Sequence, residues 1–186
     1  MNPILIDFPN EIITDRLLLR MPMAGDGQYV YEAIMASLAD LRPWLPFANQ
    51  EQSLENTEAN IREAQSKFLK REDLRLLIFD KHNHNLIGSS GLHNPNWVVR
   101  KFEIGYWIDS RYQGNGYMTE AVEGITGFAF SELEARRVEI RCDEKNIRSR
   151  AIPERLNYEL EGILRNDDVA PHSNELRNTC IYSKIR

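Results

Sequence analysis

The residues Arg111-Tyr112-Gln113-Gly114-Asn115-Gly116 have the types and spacing to hold an anion. A strand-like apolar run ends at Ile108, a turn with two glycines follows, and helical spacing begins near Tyr117. The first N–H groups of a helix lack partners within it, and its dipole puts partial positive charge there. Such a start is a ready anion site, and glycine lets main chain approach phosphate oxygens. The Thr119 hydroxyl adds a donor in the first helical turn. On spacing alone, a plain turn is as common an outcome. A dinucleotide-binding reading asks for a third glycine where Thr119 stands, and for an acidic residue about 20 positions on. Glu134 or Glu139 imitates that residue, but the upstream hairpin does not supply parallel strands, so NAD binding is the lesser reading. Cys142 ends an apolar alternation, where an inert filler is commoner than a nucleophile. His82, His84, His93 and His172 form no metal set and read as solvated; no metal site is expected.

The elements that must position this turn follow from periodicity. Thr14 to Met21 reads as a first strand, ended by Pro22. Asp26 is placed to cap a helix from Gly27 to Leu38, with Val30, Ala33, Ile34 and Ser37 on one face. The prolines in Leu41-Arg42-Pro43-Trp44-Leu45-Pro46-Phe47 exclude regular helix there. A second helix spans about 54–71, with Ile61, Ala64, Phe68 and Leu69 sharing a face. Apolar runs at 74–80 and 86–92 flank a polar turn and read as a hairpin. Residues 102–108 form another strand and Tyr117 to Leu133 a helix. Val138, Ile140 and Cys142 alternate as a strand, 152–156 looks helical, and 158–164 and 177–184 are the last strands. This order gives layered α/β architecture rather than a barrel.

Bulk properties narrow the function. A chain of 186 residues fits a single domain, 1–186, with no repeat or linker to divide it. Hydrophobic content of 42% with 27% charged residues is ordinary globular composition. A net charge of −5 argues against nucleic acid and suits a cationic or amine-bearing acceptor. Two cysteines make no disulfide framework. No signal peptide or membrane span is visible, so a cytoplasmic location and no membrane partner are expected.

The sequence resembles the GNAT acetyltransferases, and especially the group that acetylates the N-termini of ribosomal proteins. Their signature Gln/Arg-x-x-Gly-x-Gly/Ala is matched at Arg111 to Gly116. Around it, Thr14 to Arg20, Leu41 to Pro46, Glu103 to Ile108, Asn146-Ile147-Arg148-Ser149 and Leu160-Glu161-Gly162 are similar to the group's other motifs, in the same order. The resemblance implies a GNAT fold: a mixed, mostly antiparallel sheet with helices on both faces. It implies acetyl-CoA as co-substrate, its pantetheine arm entering where strands 102–108 and 137–142 splay apart. Main-chain groups of Trp107 and Ile108 would pair with that arm. Turn amides of Gln113, Gly114, Asn115, Gly116, Tyr117 and Met118 would hold the pyrophosphate, with Thr119 nearby. Asn146 and Ser149 match positions beside the sulfur. Such enzymes often pair, so a homodimer is one expected state. Two positions depart from the family. Leu156-Asn157-Tyr158 stands where Leu-Gly-Phe is usual, and asparagine tolerates the left-handed helix end. Pro153 falls inside the helix expected after Asn146, which should be kinked or start late.

Acetyl transfer needs a neutral amine, a stabilised oxyanion and a protonated leaving thiolate. Deprotonating an α-amine with a pKa near ~7.8 costs only about 1 kcal/mol at pH 7, whereas a lysine costs about 4.6 kcal/mol. Glu103 is the expected general base, directly or through water, and Asp168 the second carboxylate candidate. Ser149 is the expected donor to the departing sulfur, with Tyr106 as a possible partner. Acceptor specificity is assigned to the segment around Trp44 and to Asn166–Glu175, where Asp167, Asp168 and Glu175 would attract a cation. The expected acceptor is a protein N-terminal α-amine. The alternatives are a small amine such as a polyamine, antibiotic or amino acid, and a CoA-binding module without turnover.

Overall fold

The computed structural model describes residues 2–186. In chain order the elements are β1 (Glu11–Ile13), β2 (Leu17–Arg20), α1 (Gly27–Leu41), α2 (Leu54–Lys70), β3 (Leu74–Asp80), β4 (Leu86–Asn96), β5 (Lys101–Ile108), α3 (Tyr117–Ser131), β6 (Arg137–Asp143), α4 (Ile147–Arg155), β7 (Glu159–Val169) and β8 (Leu176–Ile185). The strands form one sheet in the order β1-β2-β3-β4-β5-β6-β8-β7. Only β5 and β6 run parallel; the other neighbours are antiparallel.

Period-2 alternation divides the strand side chains between two faces. On one face Leu77, Phe79 and Leu86 meet Val30, Ala33 and Ile34 of α1 and Ile61 of α2. On the other, Leu19, Ile78, Ile87, Ile104 and Ile140 meet Ala121, Val122, Ile125 and Ala129 of α3. Helices therefore cover both faces, as expected. Among the described residues, no helix is long and apolar enough to cross a membrane.

Four local expectations need correction. The first strand breaks into the β1–β2 hairpin, because Thr14 Oγ1 accepts from the Leu17 N–H at 3.1 Å and folds the chain back. Asp26 makes no cap to α1; its carboxylate takes both arms of the Arg20 guanidinium at 2.7 Å. Glu58 of α2 caps instead, accepting from the Gly25 and Gly27 N–H groups at 2.8 and 2.9 Å. Leu69 lies off the buried face of α2, half-exposed, while Thr57 joins it.

The fourth correction concerns Pro153. Helix α4 begins at Ile147, not late, with Asn146 Oδ1 accepting from the Ser149 N–H at 3.1 Å. Proline at 153 removes the donor that would serve the Ser149 carbonyl four residues back. The Tyr106 hydroxyl donates to that carbonyl at 2.8 Å. A side chain from β5 thus completes the backbone of α4. After α4, Asn157 takes φ 56°, the left-handed value its residue type tolerates. Tyr158, where the family has phenylalanine, uses its hydroxyl on buried Thr126 Oγ1 at 2.6 Å.

Candidate active site

The glycine turn leads into α3 with its donors unspent. Gly114 and Gly116 have φ values of 78° and 77°, which side chains with a Cβ rarely adopt. Gly116 is the N-cap of α3 and provides no side-chain cap, and the first main-chain bond into the helix runs from Glu120 N to Gly116 O. Among the described residues, the N–H groups of Gly114, Asn115, Gly116, Tyr117, Met118 and Thr119 donate to no protein acceptor. The Gln113 N–H, expected in this set, instead donates to Ser110 O at 3.4 Å, so the free run starts one residue later. Met118 contributes only main chain, because its side chain is buried in the core. Asn115 Nδ2 holds the turn shut on itself through Tyr112 O and Gln113 O.

The charges around the turn differ from what the motif suggests. Arg111 is bound back onto fully buried Asp109, with Nη2 to Oδ2 at 2.5 Å, so it fixes the turn rather than facing it. Two other arginines flank the turn. Arg16 stacks on Tyr117 at 4.4 Å and donates to Asn115 O at 2.9 Å, while Arg148 donates to Gln113 Oε1 at 2.8 Å. Burial of Glu120 opposes its charge, but bonds from Thr14 and from Arg16 overcome this and lower its pKa. The carboxylate in the first turn of α3 is thereby neutralised locally.

Beside the turn, the sheet opens. Pairing of β5 with β6 covers only Lys101–Ile104 against Arg137–Ile140. Beyond it, Gly105 to Ile108 pair with β4 alone, and Arg141 to Asp143 with β8 alone. Tyr106 and Ile108 therefore have main chain facing a gap, whereas that of Trp107, expected in this set, turns to β4 in phase with Asp109, whose N–H donates to Ile87 O at 2.9 Å. Tyr106 and Ser149 meet in that gap, where Ser149 Oγ donates to the Tyr106 hydroxyl at 3.2 Å. Burial pushes the Tyr106 phenol far up and keeps it protonated. Burial likewise raises the Cys142 thiol to about 11, so a thiolate nucleophile is disfavoured at neutral pH. Asn146 spends its side-chain oxygen as the α4 cap.

On the α1–α2 side of β5 lies a cavity of about 500 Å³. Its floor includes Gly105 and Tyr106, the residues at which β5 leaves β6. Cavity and gap thus converge on one corner. The two expected carboxylates, Glu103 and Asp168, and the expected acceptor segments are engaged elsewhere. Glu103 is outside the cavity lining and accepts from Asn94 Nδ2 at 3.1 Å. Asp168 belongs to β7 rather than a loop, and its carboxylate is bound to Arg177 at 2.6 Å, which lowers its pKa. Asp167 is bound to Arg141 at 2.9 Å, so the acidic stretch has its cations supplied by neighbouring strands. Trp44 gives only its carbonyl to Arg177, and Leu45 and Phe47 line the cavity in its place.

The profile of the acetyltransferase (GNAT) domain matches residues 16–159, most of the chain. The chain belongs to the GNAT acetyltransferases. The Bacillus subtilis protein named "Putative ribosomal N-acetyltransferase YdaF" is 35% identical over 158 residues, covering 84% of this chain and 82% of the relative. The "Ribosomal-protein-serine acetyltransferase" of Escherichia coli is 28% identical over 123 residues, 66% of this chain and 65% of its own. A solved structure described as a "Probable acetyltransferase" superimposes with TM-score 0.85 at 28% identity, covering 93% of this chain and 94% of that one.

As a GNAT enzyme the protein is an acetyl-CoA-dependent N-acetyltransferase. Three side chains of this GNAT site escape a reading by motif. Arg16 and Arg148 sit within recognisable segments, but their approach to the turn is a tertiary fact. His93, read from sequence as solvated, instead bonds Asp73 and lines the cavity.

Proposed function

We propose that the enzyme transfers acetyl from acetyl-CoA to the α-amine at a protein N-terminus. The observation that carries this reading is the run of unpaired N–H groups from Gly114 to Thr119, one strand-end away from a corner shared by gap and cavity. In this reading those amides hold the pyrophosphate, with Arg16 cancelling the Glu120 carboxylate and Arg148 adding positive charge. The pantetheine arm lies along the main chain of Tyr106 and Ile108 between β5 and β6, with Asn146 and Ser149 beside the sulfur. Ser149 is the donor that meets the leaving thiolate by turning its hydroxyl from Tyr106, whose own proton stays on the Ser149 carbonyl.

The cavity lining supports a peptide end over a polycation. It carries the neutral amides Gln50, Gln52, Asn56 and Asn60, together with apolar Leu45 and Phe47, and a single carboxylate, Glu51. Polyamine recognition would need several carboxylates, whereas amide side chains suit main-chain N–H and C=O groups. The names of the Bacillus and Escherichia relatives point the same way. A cytoplasmic enzyme would meet such N-termini.

The test is an acceptor screen with acetyl-CoA, short peptides of varied first residues and polyamines, read by mass spectrometry. Label on peptide α-amines is expected. Label confined to lysine side chains or polyamines would overturn the acceptor, and CoA binding without release of free thiol would overturn catalysis.

A further inference from the structure

We infer that His93, oriented by Asp73, is the general base that takes the proton from the attacking amine. The inference rests on the acyl-transfer reading above but does not depend on which amine is the natural one.

His93 is the last regular residue of β4 before a bulge, where register shifts between His93 and Asn96 and Asn94 turns left-handed at φ 48°. Bulges re-aim the side chain beside them. The imidazole leans over Gly105: a Cβ there would meet His93 Cδ2 at 3.2 Å and Nε2 at 3.6 Å. Glycine at 105 therefore makes room for the ring at the corner where gap and cavity join. On the far side of the ring, Nδ1 lies 2.7 Å from Asp73 Oδ2, and both side chains are about one-quarter exposed. A carboxylate at Nδ1 fixes the tautomer with its proton on Nδ1 and leaves the Nε2 lone pair free.

Elimination leaves the same residue. The titratable groups lining the cavity are Glu51, Arg75, His93 and Tyr106. Arg75 stays charged and cannot accept a proton. Tyr106 is buried and protonated, and its hydroxyl is committed to Ser149 O. Glu51 is exposed on the segment before α2, where no partner among the described residues orients its carboxylate as Asp73 orients His93. The charged groups facing the His93–Asp73 pair are Glu103, opposite His93 on β5, and, on the Asp73 side, Glu72 before β3, Arg75 on β3 and the mutually paired Glu63 and Lys67 on α2.

In the step, His93 Nε2 takes one proton from R–NH3+, leaving R–NH2. The nitrogen lone pair forms the C–N bond to the thioester carbonyl. The C–S pair departs to sulfur, which acquires the amine's second proton through the Ser149 hydroxyl or water and leaves as CoA-SH. The imidazolium then returns its proton to solvent.

The test is kcat/KM against pH for wild type, H93Q and D73N, with acetyl-CoA affinity measured by calorimetry. On the best acceptor from the screen, H93Q should fall about 100-fold near pH 7 with coenzyme Kd unchanged. Its deficit should shrink as pH rises and the amine deprotonates unaided. D73N should show an intermediate loss and a displaced profile, marking Asp73 as a positioning residue. An H93Q profile parallel to wild type and within about twofold of it overturns the proposal. Should H93Q misfold, 15N NMR of wild-type imidazoles decides: an Nδ1–H tautomer at His93 is expected, and an Nε2–H tautomer overturns it. If wild type acetylates only a side-chain or polyamine nitrogen, the acceptor assignment fails while His93 is still tested on that amine.

Discussion

The corner proposed for the coenzyme and the cavity proposed for the acceptor share Gly105 and Tyr106, yet they are built in different ways. The corner is made of main chain: a two-glycine turn, the first turn of α3, and the strand edges of β5 and β6. The cavity is made of side chains from α1, α2, the segment between them, and three strands. Main-chain sites are set by local backbone geometry, so sequence motifs mark them. Side-chain sites depend on how distant elements meet, so a pocket can change its acceptor while the corner stays the same.

Replacing Gly116 by valine should separate the two most strongly. The φ of 77° strains any Cβ-bearing residue, and the side chain would stand beside the free amides. Acetyl-CoA Kd should rise at least about 100-fold by calorimetry, about 2.7 kcal/mol, with the fold retained. Tight binding by this variant would break the distinction.

Tyr106 tests whether the shared corner is mechanically one unit. Removing its hydroxyl in Y106F leaves the Ser149 carbonyl without a donor, which should cost about 1–3 kcal/mol in denaturant unfolding. In a P153A background the helix supplies its own N–H, and the same change should cost much less. Equal costs in both backgrounds would show that the hydroxyl does not stand in for the missing proline donor.

Phe47 probes the cavity alone. Its ring lies 6.3 Å from that of Trp107 and lines the acceptor side. F47A should raise acceptor KM about tenfold, about 1.4 kcal/mol, and leave acetyl-CoA Kd within twofold.

The smallest effect should come from a pair remote from both regions. Arg137 grips Glu161 with two bonds of 2.6 Å, and Ser183 adds a third, holding the Glu161 pKa at about 2. The folded carboxylate titrates below its unfolded value near ~4.3. Its contribution is therefore full above about pH 4.5 and is lost as pH falls toward 2. Because Glu161 is 40% exposed, screening limits it to less than about 1 kcal/mol. E161Q should flatten that acid limb of stability and leave both substrates' affinities unchanged.

The same division explains what the sequence made legible. Strand alternation, helix periodicity and the glycine turn are local, and they located β3 to β6, α3 and the turn that opens it. The hairpin at Thr14 and the Glu58 cap on α1 depend on contacts between distant segments, and neither motif nor period reports them. Pro153 looked disruptive because its compensation comes from Tyr106, far away in the chain. Glu103 and Asp168 were drawn from their element and loop, but Asn94 and Arg177 engage them. His93 was missed because a lone histidine followed by Asn94-Pro95 reads as loop, and its partner Asp73 lies 20 residues away. The Asn-Pro pair after a strand was the available signal, since it marks the bulge that turns the ring inward.

The central claim is that the Gly114–Thr119 amides close on the diphosphate of the coenzyme, and amide-resolved NMR with hydrogen exchange during CoA titration tests it most directly. The account predicts that these N–H groups shift together and slow their exchange by about tenfold or more at saturation, with Gln113 little affected. Saturable CoA binding that leaves those amides exchanging freely, with perturbations clustered elsewhere, would contradict it.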